Sequence, residues 1–136
     1  MAYIKLAVTN NFMVKSLSSL LEDGEELKTP FYGTIEKIGL QRHNWYSLIG
    51  LTDSALLVAI LNGVDASKVK WTSRIPLDIN KVETSTSLFH SQIIISIVFN
   101  KGNDVRIRAA KKVLFGDLIN QNVNVANFID IISNYR

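Results

Sequence analysis

The chain contains no cysteine. Disulfide scaffolds, thiol nucleophiles and cysteine-based zinc or iron–sulfur sites are therefore excluded, and the absence fits a reducing compartment. Proline is nearly missing as well: Pro30 and Pro76 are the only two, both close to expected element starts, where a lost backbone donor is tolerated. His43 and His90 are the only histidines. Each is expected in a loop, and two lone histidines do not make a metal site. The seven glycines are scattered from Gly24 to Gly116. A phosphate-cradling loop needs glycines clustered so that backbone amides can approach, so neither a P-loop nor a dinucleotide fingerprint is present. Long apolar runs are also lacking. The longest is Ala55–Leu61, and the similar Ile93–Phe99 is interrupted by Ser96. Both fall well short of the roughly 20 residues of a membrane-spanning helix. Met1–Val8 has neither the apolar stretch nor the cleavage site of a secretory signal. The expectation is a cytoplasmic protein with no metal or cofactor.

What is present suits one globular domain. The 136 residues are 47% hydrophobic and 20% charged, enough to bury a core without staples. Charge is uneven. Residues 1–66 hold five basic and seven acidic side chains, whereas residues 67–136 hold ten basic and five acidic ones. Such asymmetry either builds one positive face that attracts an anionic partner or decorates the solvent sides of strands.

Periodicity divides the chain into helix, strands and helix. Met13, Leu17, Leu20 and Leu21 recur at helical spacing and share one face. Asn10 or Asn11 would cap that helix, and Glu22-Asp23-Gly24 would end it. Phe31–Ile38, Trp45–Leu51, Ala55–Leu61, Val69–Ile75, Ile79–Thr84, Gln92–Phe99 and Val105–Ala109 read as strands, being rich in β-branched and aromatic residues and separated by turn formers. Gly39–Asn44 and Ser85–Ser91 read as polar connections, and Asn100-Lys101-Gly102-Asn103 as a tight turn. Val125, Phe128, Ile129 and Ile132 then return to helical spacing, opening near Asn122 or Asn124. A strand-rich body followed by one amphipathic helix implies a mainly β, α+β fold. It would be a curved sheet or barrel whose open end the helix covers.

Four segments, in this order, resemble the bacterial pleckstrin-homology-like domains, relatives of the GRAM domains. They are Leu20–Leu27 with its Gly24-Glu25 pair; Leu48–Leu57, a strand, a Thr-Asp turn and a second strand; Ile75–Val82 with its Ile-Pro start; and the ending from Gln92 to the helix around Phe128. The resemblance covers residues 20–134. It implies a partly open barrel of seven antiparallel strands in two sheets, capped by the C-terminal helix. On this reading residues 20–136 are the domain and residues 1–19 a helical extension. Lipid-binding members of that family hold inositol phosphates with a basic cluster on the first hairpin. The matching residues here are Lys37, Arg42 and His43, with Asn44 and Trp45 where a further arginine is usual. The family also resembles modules that assemble through sheet edges.

Nothing in the sequence organises a catalytic centre. No serine lies in a nucleophile-elbow motif. The carboxylates Glu22, Asp23, Glu25 and Glu26 crowd into one short polar stretch, which reads as a solvated junction. The preferred reading is a non-catalytic binding or assembly module with a protein partner or a second copy of itself, the stripe Met13, Leu17, Leu20 and Leu21 either folding back or forming the contact. The alternative is a peripheral binder of anionic lipid head groups, using Lys37, Arg42, His43, Lys70, Arg74, Arg106 and Arg108. A nucleic-acid-binding small barrel comes third: Lys68 and Lys70 precede Trp71 and Arg74 follows it, and base stacking beside phosphate contacts suits single strands. Trp45 and Trp71 serve equally well as core residues.

Overall fold

The computed structural model describes residues 8–63, 68–86, 91–102, 104–110, 118 and 120–135. In chain order the elements are α1 (Asn10–Ser18), β1 (Lys28–Ile38), β2 (Gln41–Leu51), β3 (Ala55–Leu61), β4 (Val69–Pro76), β5 (Ile79–Thr86), β6 (Gln92–Phe99), β7 (Asp104–Ala110) and α2 (Gln121–Ser133). The strands form one antiparallel sheet in the order β4-β3-β2-β1-β7-β6-β5. The two sheets expected from the resemblance are therefore continuous. Strand β1, eleven residues long, pairs with β2 on one side and β7 on the other and joins them. The sheet curls into a partly open barrel, with α2 packed on β1, β5 and β7.

The curled sheet has apolar residues on both faces. Inside lie Phe31, Ile35, Ile49, Leu56, Val58, Ile60, Ile95, Ile97 and Ile107, closed over by Val125, Phe128 and Ile132 of α2. Phe31 and Phe128 meet edge to face at 4.8 Å. Outside, Leu48, Leu57, Ala59 and Leu61 form a second core under Met13 and Leu17 of α1. All seven residues of β3 are buried for this reason: alternate side chains enter alternate cores. Burying an aliphatic side chain such as Leu17 is worth about 1.5–3 kcal/mol. Gly50 permits the close approach of α1, because a Cβ there would stand 2.8 Å from Leu27 Cδ1 and 3.3 Å from Leu17 Cδ1.

Several expected boundaries move. Thr9 caps α1, its hydroxyl accepting from the Phe12 N–H at 3.1 Å. The helix ends at Ser18, so Glu22 and Asp23 stand beyond its last turn. Strand β2 begins at Gln41, because the chain reverses at Gly39 with φ +61°. Its first four residues are exposed, so they carry no apolar alternation to read. Strand β5 continues through Thr86, and Pro76 closes β4 rather than opening an element.

Gln121, buried at the start of α2, supplies ladder hydrogen bonds that β1 lacks. Its amide nitrogen donates to Tyr32 O at 2.7 Å and Ala110 O at 3.1 Å, and its Oε1 accepts from the Tyr32 N–H at 3.1 Å. The β1–β7 ladder begins only at Thr34, so this side chain completes it. Two substitutions test these contacts by urea unfolding. Gln121→Leu, which strands the Tyr32 amide and two carbonyls, is expected to cost about 2–4 kcal/mol. Leu17→Ala, which opens a hole between α1 and β3, is expected to cost about 2–5 kcal/mol.

Candidate functional site

The hairpin of β1 and β2 projects past the end of β3, whose ladder with β2 reaches only to Ser47. Its tip is Gly39-Leu40. The Gly39 N–H donates to Asp104 O at 2.8 Å, which ties the tip to the β6–β7 turn. Leu40 is 99% exposed. Behind the tip, β1 is bulged between Ile35 and Lys37. The bulge sends Glu36 and Lys37 both to the solvent side, while Ile35 and Ile38 stay with the inner core.

An open groove of about 650 Å³ follows on that side, crossing β2, β1, β7 and β6, with Lys37, Arg42, His43, Ser96, Asp104 and Arg106 on its walls. Most of its charges are already matched. Lys37 Nζ lies 3.3 Å from Asp104 Oδ2. Glu36 receives Arg106 Nε at 3.0 Å on one oxygen and Arg108 Nε at 3.0 Å on the other. Arg42 is exposed and has no ion pair among the described residues, and the same holds for Lys101 on the neighbouring turn. His43 lies on strand β2 and not in a loop; its ring is 5.1 Å from Trp45, which meets Trp71 edge to face at 6.1 Å. Both tryptophans are half-buried and pack against the inner core. His90, Lys111 and Lys112 lie outside the described residues.

The structure thus gathers only some of the expected residues. Lys37, Arg42, His43 and Arg106 share the groove, with Arg108 at its flank. Lys70 and Arg74 are elsewhere, on the edge strand β4. Arg74 is tied to the segment after α1: its guanidinium grips both oxygens of Glu25 at 2.6 Å, and also donates to Glu22 Oε1 and Leu20 O, each at 3.2 Å. In the stripe expected as an interaction surface, Met13 and Leu17 are buried under the chain's own strands, and Leu20 and Leu21 rest half-buried at the rim. Sequence reasoning missed Leu40 and Glu36. The signal for Leu40 was a leucine directly after a turn glycine, in a stretch otherwise polar.

No family model and no curated protein matches the chain. Solved structures do. The C-terminal domain of an unknown protein from Leishmania infantum is 13% identical, covering 90% of this chain and 95% of that one with a TM-score of 0.55. The hSac2 domain of the human phosphoinositide phosphatase Sac2 is 15% identical, covering 90% and 76% with a TM-score of 0.55. A DUF1696 family protein with a pleckstrin-homology domain from Shewanella loihica is 19% identical, covering 89% and 93% with a TM-score of 0.45. The likeness is one of fold. The chain is a seven-stranded, partly open pleckstrin-homology-like barrel. No helix among the described residues is long and apolar enough to cross a membrane.

Arg74 sets a pH dependence. Its hydrogen bonds, with that of the Glu22 N–H at 2.7 Å, hold the Glu25 carboxyl at about 2, below its ordinary 4.5. A depressed carboxyl contributes stability that is complete above its unfolded pKa and fades as pH falls through the folded one. The window is therefore pH 4.5 down to about 2. Glu25→Gln is expected to unfold at lower urea than the parent at pH 6, and the gap between the two proteins should close as pH falls through that window. A gap that stays constant would mean the pair does not stabilise the fold.

Proposed function

We propose that this protein is a non-catalytic binding module that docks on an anionic membrane surface through the barrel end carrying the β1–β2 and β6–β7 turns. The observation that carries the reading is Leu40, fully exposed at the tip of a braced hairpin, with Arg42 and Lys101 on the same end. Inserting one leucine among acyl chains gains about 1.5 kcal/mol. Each nearby cation adds about 1 kcal/mol at an anionic surface. Lys37 and Arg106 contribute less, because Asp104 and Glu36 already neutralise them. The sum favours weak, reversible attachment, as with a single lipid chain. Contact with a protein partner or a second copy is the second reading, supported by strand β5, whose outer side pairs with no strand among the described residues.

Flotation with phosphatidylcholine vesicles, with and without phosphatidylserine, tests the proposal. Binding is expected only to the serine-containing vesicles, and to weaken as salt rises. Leu40→Ser should reduce it about tenfold, and Arg42→Gln several-fold, with the fold intact because both side chains are exposed. Equal flotation of parent and Leu40→Ser would overturn the reading.

A further inference from the structure

The sheet has two end strands, and they are not alike. On β4, Pro76 removes a donor, the pairing with β3 is irregular between Ile60 and Leu61, and Arg74 is occupied by Glu22 and Glu25. Those are features that discourage another chain from adding to an edge. Strand β5 has no proline; its pairing with β6 shifts once, between Ile79 and Lys81, and is regular from Lys81 to Thr86. Among the described residues no strand pairs with its outer side. Asn80, Lys81, Glu83, Thr84 and Ser85 are exposed.

We infer that β5 is a dimerisation edge, pairing antiparallel with the same strand of a second copy about a two-fold axis at Val82. The charge pattern selects this register. An isologous antiparallel pair matches residues equally spaced on either side of the axis. With the axis at Val82, Lys81 stands opposite the partner's Glu83, and Glu83 opposite the partner's Lys81. An axis at Lys81 or Glu83 would instead set two like charges face to face, which directly opposed positions disfavour. Lys81 and Glu83 are 62% and 65% exposed and lie on one side of the strand, 3.1 Å apart. They can exchange that contact for two contacts across the dyad without losing a buried partner. Among the described residues no strand bonds the outward backbone groups from Lys81 to Ser85, and the pairing gives them partners. The inference is independent of membrane docking, which uses the hairpin end.

Light scattering and sedimentation equilibrium on the full chain test it. The parent is expected to reach twice the 15.2 kDa chain mass as concentration rises. Lys81→Glu and Glu83→Lys should each weaken that association about tenfold, because each places like charges opposite one another twice per dimer. The double exchange Lys81→Glu with Glu83→Lys should restore it, since the opposed pairs are then oppositely charged again. A parent that stays at the chain mass at every concentration, single variants that associate like the parent, or a double exchange that fails to restore association would each overturn the inference.

Discussion

The rest of the molecule depends on β3 being buried on both faces. A strand reading Ala-Leu-Leu-Val-Ala-Ile-Leu cannot leave either side in water without exposing a large apolar patch. One side is satisfied by curling the sheet over α2. The other needs a separate cover, and α1 provides it, resting Met13 and Leu17 on Leu48, Leu57 and Leu61. Helix α1 is thus packed into the core through Met13 and Leu17. The ties that follow α1 extend the same attachment: Arg74 clasps Glu22, Glu25 and the Leu20 carbonyl, while Lys28 pairs with Asp53 at the β2–β3 turn.

That constraint explains which parts of the structure could be read in the chain. Ala55–Leu61 and Gln92–Phe99 are strands to the residue, because their apolar density is set by burial. The C-terminal helix follows from Val125, Phe128 and Ile132, which all reach the inner core. The exposed start of β2, Gln41–Asn44, was illegible because no hydrophobic period exists where neither face is covered. Gln121 was illegible for a different reason. A buried glutamine stands out only once the gap it fills, at Tyr32 of β1, is known. The stripe of α1 was read correctly as apolar, but its spacing cannot say whether the covering surface belongs to the same chain.

The basic residues show the limit most clearly. The charge count in residues 67–136 leaves two readings, one positive face or basic side chains on the solvent sides of strands. Folding spends much of that charge internally: Arg74 on Glu25, Arg106 and Arg108 on Glu36. The acidic partners come from the first half of the chain, so the asymmetry along the sequence is largely cancelled across the sheet. Among the described residues, Arg42 and Lys101 keep no ion pair at the hairpin end, and Lys70 keeps none on β4. This is why the proposed function rests on a single exposed leucine beside Arg42 and Lys101 and not on the overall net charge of +3.

Helix placement decides which surfaces remain for binding. Helix α1 covers the outer side of β1 to β3, and α2 closes the inner side against β1, β5 and β7. The hairpin tip at Leu40 is exposed, and among the described residues no strand completes β5. These surfaces call on different physics. The hairpin end offers an apolar point with two cations, which suits a partner that is fluid, anionic and without fixed shape. The β5 edge offers a ladder of directional backbone groups with an ordered charge pattern, which suits a partner of defined register. Joining two copies at β5 would place two hairpin tips on one particle. On the proposed membrane reading, weak single attachments would become effectively intramolecular after the first, so an edge contact that adds no lipid contact of its own would strengthen the hold wherever both tips can reach the surface.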